Sequence, residues 1–377
     1  MALASAASAQ TVSDVLTFLV TNQSVATGSV ARDQRAAQET SDTISRALRV
    51  NLATLPVPTS PGAFALRFNP SLGTVEQVTQ TFGPSFVDRA QTIGPGQAAF
   101  SLTFQNLRFT SLDGTSLRDG TLVTTANQFV DETSPFDVDR LRLDVDASVM
   151  TLSGSIGVAD GIEVAFAVPI VSLWVAGERT NTYRGRAFTQ ASANAHAIGL
   201  ADLAVRTKLM IAGDAAGGVA AAVDLRLPTG REQDLLGAGS PSLKFSGIGS
   251  IERGRVATHG NAGASFGGLA REFDANGALA IAASRRVTVV GELLGRWIDS
   301  PGDIVQATAP HPAIPGVETI RLSSGLTSLR SLIVVPGIKW NVSETWVIAA
   351  SFSVPLTKAG LTAPLAPFAG FDYLLER

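Results

Sequence analysis

The chain contains no cysteine, few charged residues and no long apolar run. The absence of Cys among 377 residues excludes a disulfide scaffold, a thiolate zinc site and a thiol nucleophile. Charged residues make up 16% of the chain, against roughly 25% in an average globular protein, and this balance excludes intrinsic disorder. No segment reaches the roughly 18 consecutive apolar residues of a transmembrane helix. The net charge of −3, without a basic block, argues against nucleic acid as a partner.

From Gln97 onward, apolar and polar residues alternate with a period of two. Between Val219 and Leu227 every second side chain is apolar, and the side chains between them belong to Ala, Asp and Arg. Such alternation is typical of half-buried strands. It predicts about twelve strands, each long enough for the roughly 9–11 tilted residues that cross a bilayer. They lie near 97–110, 138–158, 161–178, 199–212, 217–228, 242–253, 256–269, 272–284, 286–299, 325–342, 345–357 and 367–377.

The connections between these strands alternate in length. Tight turns such as Asp160-Gly161 and Ser343-Glu344 are followed by longer loops, with one short exception near Ala270-Arg271. Short periplasmic turns and long extracellular loops are typical of outer-membrane barrels. A soluble sandwich or propeller would also explain the alternation, but not this asymmetry. The long loops are predicted at 111–137, 179–198, 229–241, 300–324 and 358–366.

Residues 96–377 therefore predict an all-β fold, an antiparallel transmembrane β-barrel of about 12 strands (12–14) in the bacterial outer membrane. All four Trp residues fall near predicted strand ends, where the aromatic girdles of such barrels lie. An even number of strands places both ends of the barrel chain on the periplasmic side.

Two segments precede the barrel. Residues 1–10, MALASAASAQ, end in the small-residue pattern of a signal cleavage site, and we interpret them as the remnant of an export signal. In residues 11–95, Ile44, Leu48 and Leu52 recur at four-residue spacing and predict a helix over 31–52. A further short helix is expected between 75 and 90. We expect this partly helical segment to lie at the periplasmic side and to enter the lumen as a plug.

Four stretches of the barrel resemble a known family. They read LADLAVRTKLMI, VAAAVDLRLPTGREQDLLGAGSPSLK, SIGVADGIEVAFAVPIVSLWV and PGIKWNVSETWVIAASFSVPL. Together they are similar to the outer-membrane family named for the meta-pathway of phenol degradation, itself related to fatty-acid and aromatic-hydrocarbon transporters. The resemblance covers roughly residues 80–377, and it implies a barrel with a luminal N-terminal segment that passes small hydrophobic molecules. The chain departs from many such barrels by ending on Leu375-Glu376-Arg377 rather than on an aromatic residue.

Catalytic and cofactor-binding patterns are not found in the sequence. His196, His259 and His311 lie on different predicted elements, without the spacing of a metal site. No nucleophile elbow accompanies them. We therefore expect no enzyme activity, no cofactor and no metal.

The ionisable residues of the predicted strands are the better candidates for a functional role. Acidic and basic residues occur in similar number on the predicted inner face, which argues against strong ion selectivity. They could pair across the lumen to hold the wall, or they could form a polar belt around a path for a neutral solute. The predicted pore-lining residues are Arg140, Arg142, Asp144, Asp146, Glu163, Asp202, Arg206, Lys208, Asp224, Arg226, Glu292 and Arg296.

Pro169 interrupts the third predicted strand. Proline has no N–H to donate to a β-ladder, so the wall is expected to be kinked there. We favour a β-bulge, and the alternative is a lateral gap between lumen and bilayer.

The sequence favours an outer-membrane channel for passive uptake of small hydrophobic or aromatic compounds. The alternative is a structural or adhesive barrel with long surface loops and no transport role. The partners expected for the first function are outer-membrane lipid, a small hydrophobic solute and the barrel-assembly machinery.

Overall fold

The computed structural model describes residues 10–20, 30–56, 58, 61, 64, 66–69, 74–77, 79–214, 216–299, 304–311, 314–325 and 327–375. Residues 1–9 of the predicted signal remnant and the last two residues lie outside the described residues. The helices are α1 Val12–Val20 and α2 Val30–Ala53, with a short 3₁₀ turn at Glu232–Asp234. The strands are β1 Leu66–Asn69, β2 Thr74–Gln77, β3 Ala98–Phe109, β4 Ser111–Leu112, β5 Thr115–Ser116, β6 Leu122–Phe129, β7 Asp137–Ala159, β8 Ile162–Tyr183, β9 Arg186–Leu200, β10 Leu203–Asp214, β11 Gly217–Leu227, β12 Ser242–Arg253, β13 Val256–Gly267, β14 Glu272–Ala282, β15 Val287–Ile298, β16 Ile304–Pro310, β17 Val317–Ser324, β18 Leu329–Ser343, β19 Trp346–Pro355, β20 Leu361–Thr362 and β21 Ala366–Leu375.

Twelve of these strands close a barrel, which confirms the predicted fold class. The antiparallel ring runs β3-β7-β8-β10-β11-β12-β13-β14-β15-β18-β19-β21 and returns to β3 through the pairing of Phe371 with Leu102. Closure satisfies the backbone groups that an open sheet edge would leave unpaired in hydrocarbon. The strands agree with the twelve predicted ones to within a few residues, except where the structure extends them.

The exterior of the barrel is apolar. Along β11, for example, Val219, Val223 and Leu225 are 53%, 39% and 40% exposed, whereas Ala220 and Ala222 on the other face are buried. Aromatic side chains border this belt: Trp346 packs on Tyr373 near the tight turns, and Trp297 packs on Phe273 near the long loops. An apolar exterior between two aromatic girdles is the surface of a protein that faces lipid, and it places the chain in the bacterial outer membrane.

Neither described helix combines the length and the apolar character that a membrane-crossing helix requires.

Above the membrane, three predicted loops are largely strands. β7 and β8 have 23 and 22 residues, about twice what the bilayer needs. Their outer halves pair with β6 and β9, and β6 is joined by β17 and then β16. We call this sheet, β16-β17-β6-β7-β8-β9, the extension. The predicted loops at 111–137, 179–198 and 300–324 supply its additional strands. Their polar residues face water on one side of the sheet and do not indicate a lack of regular structure.

The largest apolar core lies at the level of the extension. α1 presents a continuous apolar stripe and begins at a capping box, in which Thr11 Oγ1 accepts from the Asp14 N–H and Asp14 Oδ2 accepts from the Thr11 N–H, both at 3.1 Å. This helix is not among the elements predicted from the sequence. The core joins α1 and α2 to the inner faces of β7 and β8 and includes Val12, Leu16, Leu19, Ile44, Leu48, Leu141, Leu143, Leu173 and Val175.

Both helices lie at the end of the barrel that carries the long connections, opposite to the end at which residues 11–95 are expected. Leu19 lies against Gly177 in the extension, and Arg49 forms an ion pair with Glu232 in the loop between β11 and β12. Further along the chain, Leu55 lines a cavity in the lumen and Phe64 packs near the tight turns. The apolar stripe of α1 requires an apolar partner, and the inner face of the extension supplies it.

The short helix expected between 75 and 90 is also absent from the structure. Residues 74–77 form β2, and residues 79–97 are irregular chain. Gly83-Pro84 prevents a helix there, and side chains of the barrel wall form hydrogen bonds with the backbone instead.

A charge on the lipid-facing surface should be costly. For Val223→Arg we expect a loss of about 2–4 kcal/mol of unfolding free energy if the site lies near the bilayer midplane. The variant is refolded into liposomes, and its unfolding in urea is monitored by Trp fluorescence. Val130→Arg is the matched control, because Val130 is 64% exposed in the turn after β6, and the stability of this variant should change by no more than about 0.5 kcal/mol. Equal losses at both sites would contradict the assigned lipid surface.

The N-terminal helix should be accessible from outside the cell. Because the chain has no Cys, Phe18→Cys introduces a unique thiol on a side chain that is 51% exposed. A membrane-impermeant maleimide added to intact cells should label it. Glu344→Cys, in the tight turn between β18 and β19, should react only after the cells are permeabilised. Labelling of Glu344→Cys but not of Phe18→Cys in intact cells would reverse the orientation.

Candidate functional site

The lumen is filled by irregular chain from the N-terminal segment. We call residues 79–97 the plug. Gly83-Pro84 and Gly94-Pro95-Gly96 prevent regular structure in it, and Gly94 and Gly96 adopt positive φ angles of 91° and 72°, which a glycine tolerates without strain. At membrane depth the N–H groups of irregular backbone must be bonded by protein or luminal water. The sequence of the plug therefore requires acceptors on the barrel wall.

Glu292 supplies three of these acceptor contacts. Its carboxylate, on the inner face of β15, accepts from the N–H groups of Ser85, Phe86 and Val87 at 2.9, 2.7 and 2.8 Å. The Glu292 side chain is buried. Hydrogen bonds to a charged group are worth about 1.5–3 kcal/mol each, so Glu292 is a principal anchor of the plug.

Other wall side chains accept from the plug backbone along its length. The N–H groups of Phe82, Ala90 and Ile93 donate to Thr288 Oγ1 (3.1 Å), Ser250 Oγ (2.8 Å) and Glu163 Oε2 (2.9 Å). Together with Glu292, these acceptors stand on three strands, β8, β12 and β15. Polar contacts therefore dock the plug to several parts of the barrel wall.

Luminal cations hold the carbonyl groups and the acidic side chain of the plug. Lys208 Nζ donates to the carbonyls of Arg89 (3.4 Å) and Gln91 (3.0 Å), and Lys339 Nζ donates to the carbonyl of Pro84 (3.3 Å). Arg206 binds Asp224 on the neighbouring strand through two hydrogen bonds and also pairs with Asp88 of the plug. The mixed charges of the lumen thus connect the plug to the wall.

Seven of the twelve predicted pore-lining residues lie on inward-facing strand positions, and an eighth, Asp202, lies at the junction between β9 and β10. Arg296 pairs with Glu272 through two hydrogen bonds, and Asp202 accepts from the backbone N–H groups of Gly230 and Ala238 and so orders the loop after β11. The structure brings most of the eight together around the plug. They are Glu163, Asp202, Arg206, Lys208, Asp224, Arg226, Glu292 and Arg296.

The other four, Arg140, Arg142, Asp144 and Asp146, lie on the outer face of β7, and their predicted inward orientation is corrected. They alternate with Leu141, Leu143 and Val145, which are fully buried in the core of the extension. Within the bilayer the outer face must be apolar, but above it the outer face meets water and the inner face packs on helices. The outer face of β7 therefore changes from apolar to polar at the membrane surface, and its inner face becomes apolar. The alternation of the two faces along the strand continues without a break.

Several residues of the luminal site are not among those predicted from the sequence. Lys339 and Asp372, which lie 3.7 Å apart, each alternate with apolar neighbours on a strand, so their inward orientation could have been predicted. Lys244 and Asp274 form another luminal ion pair at 2.7 Å and follow the same pattern. Asp88 gave no such signal, because its role depends on where the irregular plug passes through the barrel.

Pro169 lies at an irregularity of the wall, but the extra residue is on the neighbouring strand. The β7–β8 register continues through the pair Thr151 and Pro169 without a shift. On the other edge, β8 pairs with β10 up to Ala167 and with β9 from Ile170, so residues 168–169 oppose residues 201–203. This is a one-residue bulge. The Pro169 carbonyl accepts from the Ala201 N–H at 2.9 Å, so it stays bonded at membrane depth.

The histidines have separate environments. His196 Nε2 lies 2.9 Å from Ser172 Oγ on the outer face, and His259 Nδ1 lies 2.9 Å from Ser250 Oγ in the lumen. Over the described ranges of the chain, no group of three His, Asp or Glu side chains is arranged to hold a metal ion.

Two adjoining cavities lie beside the plug. The first, of about 100 Å³, is lined mainly by charged and polar side chains of β10 to β15. The second, of about 50 Å³, is lined mainly by apolar side chains of β3, β15, β18 and β19 and of the segment that leads to β21. Both are bordered by Leu55, Pro56, Phe86, Leu294 and Arg296. The lumen therefore has a charged wall and an apolar wall on either side of the N-terminal segment.

No family model and no curated protein sequence matches the chain. Among solved structures, it is similar to an outer membrane channel from Pseudomonas putida F1, with 12% identity, a TM-score of 0.47 and coverage of 76% of this chain and 98% of that one. It is also similar to OprB from Pseudomonas putida at low pH (8% identity, TM-score 0.29, 74% and 93%) and to the translocator domain of the autotransporter NalP from Neisseria meningitidis (11%, 0.33, 74% and 88%). Each likeness is one of overall fold. Membership of the meta-pathway family stays a prediction.

Glu292→Gln should loosen the plug. The amide oxygen of Gln can still accept from Phe86 and Val87, but the amide NH₂ then faces the N–H of Ser85 as a second donor. With that hydrogen bond lost and the other two no longer made to a charged group, the docked plug should be destabilised by about 2 kcal/mol or more. Hydrogen exchange of the amides at 85–87 should accelerate at least tenfold, and single-channel conductance in planar bilayers should rise. The matched control is Glu318→Gln, on an exposed side chain of β17. Unchanged exchange in Glu292→Gln would show that the carboxylate does not anchor the plug.

Proposed function

We propose that the chain is an outer-membrane channel for the passive uptake of small hydrophobic or aromatic compounds. The single observation that carries this proposal is the apolar wall inside the lumen, formed by Leu107, Phe109, Leu294, Ile333 and Val335 beside Phe86 of the plug. A barrel without a transport role would have a lumen that is lined by polar side chains or filled completely. An apolar wall next to a cavity provides a surface along which a hydrophobic solute can be desolvated.

The plug would act as the gate of this channel. Its anchors are hydrogen bonds and ion pairs to wall side chains, and water can replace such contacts when the plug moves. An apolar contact of the same extent would resist displacement by water. We infer that the plug shifts within the lumen to join the cavities into a path, while the closed ring of strands stays intact.

The proposal is tested by uptake into intact cells. The initial rate of uptake of radiolabelled naphthalene at submicromolar concentration is compared in cells with and without the chain. The chain should raise this rate several-fold, and Glu292→Gln should raise it further. The uptake of raffinose should stay at its background rate with the wild-type chain, because a sugar gains nothing from the apolar wall. Equal naphthalene rates with and without the chain would contradict the channel.

The alternative of a structural or adhesive barrel is favoured by the tip of the extension. There Phe129 stacks on Phe136 at a ring distance of 4.8 Å, and the Arg184 guanidinium lies over the rings of Phe136 and Tyr183. Val130 and Phe188 are exposed nearby. If adhesion were the function, cells lacking the chain would lose surface attachment while their naphthalene uptake stayed the same.

A further inference from the structure

The carboxylates on the charged wall of the lumen already have cationic partners. Asp224 and Asp88 share Arg206, Asp274 pairs with Lys244, and Glu272 pairs with Arg296. A cationic ligand that approached any of these four carboxylates would have to displace its present partner. The carboxylates of this wall therefore offer no ready site for a cation.

Arg226 differs from the other cations of this wall. Its side chain points inward from β11 and borders the larger cavity. Its Nη1 donates to the carbonyl of Ala53 at the end of α2, at 3.2 Å, and within the described part of the chain it forms no ion pair. A guanidinium has five N–H donors in a planar fork that matches a carboxylate. Arg226 therefore retains donors for an anionic group without the loss of an existing ion pair.

Apolar side chains border the same cavity as Arg226. Leu55, Phe86 and Leu294 line this larger cavity and also the smaller one, to which Ile333 and Val335 belong. When a shift of the plug joins them, the two cavities of about 100 and 50 Å³ reach the ~150 Å³ that holds a benzene-sized molecule in an engineered protein core. A ligand that fills them would have a charged end toward Arg226 and an apolar body toward Phe86.

From this arrangement we propose that the lumen contains a binding site for a small amphipathic acid, whose carboxylate pairs with Arg226 and whose apolar body packs on Leu55, Phe86 and Leu294. The proposal rests on the proposed uptake function and adds one substrate class, aromatic or short aliphatic carboxylates, to the neutral hydrophobic compounds. The competing role of Arg226 is to fix the end of α2 through the Ala53 carbonyl. That structural role would affect all ligands alike, whereas a carboxylate-binding role depends on ligand charge.

The test is equilibrium dialysis of the purified full-length chain in detergent at pH 7. The probes are benzoate, benzyl alcohol and benzylamine, which share a ring and differ in charge. The wild-type chain should bind benzoate at least tenfold more tightly than either of the others. Arg226→Gln should weaken benzoate binding at least tenfold and leave benzyl alcohol within twofold. Arg142→Gln, on the outer face, should change none of the three.

Two results would overturn the proposal. One is equal wild-type affinity for benzoate and benzyl alcohol, and the other is an equal loss of all three ligands in Arg226→Gln. Heat-modifiable gel mobility checks that each variant is folded. If Arg226→Gln does not fold, Arg226→Lys keeps the charge without the planar fork, and benzoate should then bind more weakly than to the wild type but still more tightly than benzyl alcohol. Binding is measured without transport, so a failure of naphthalene uptake would reject the channel and leave this site standing.

Discussion

The structure depends on one constraint, which is that a backbone polar group at membrane depth must be hydrogen-bonded within the protein or to luminal water. The ring of twelve strands meets it for the wall. The plug meets it differently, because its irregular N–H groups are bonded by Glu292, Ser250 and Glu163 from the wall. Even at the bulge beside Pro169, the proline carbonyl has a donor. The buried polar residues of the lumen follow from this requirement.

A second consequence is the division of the molecule at the membrane surface. Below it, the strands turn apolar residues to lipid and small or polar residues to the lumen. Above it, the same strands turn Leu143 and Leu173 inward to the helices and Asp144 outward to water. Strand geometry is continuous across this boundary, and only the solvent on each face changes. Trp174, which is opposite Asp146 in the β7–β8 register, lies at the transition.

The lumen combines the two environments. Its ion pairs and carboxylate anchors hold the plug in place, and apolar side chains line the smaller cavity beside it. In the proposed channel, water competes for the polar docking contacts when the plug moves. The helices at the outer end are held by an apolar core instead, so they are expected to stay in place when the plug moves.

The sequence by itself determined the barrel. Period-two alternation and unequal connection lengths are local properties of the sequence. They predict twelve strands and the side of the membrane on which each turn lies. It also determined most of the extent of α2, through the spacing of Ile44 and Leu48 and the prolines that follow. Only the tertiary structure decided which face of β7 is inside above the membrane, since alternation defines two faces but not which one meets water. It also decided the path of the N-terminal segment, because the acceptors for the plug and the apolar partner for α1 lie far away in sequence, on strands that come together only when the barrel closes.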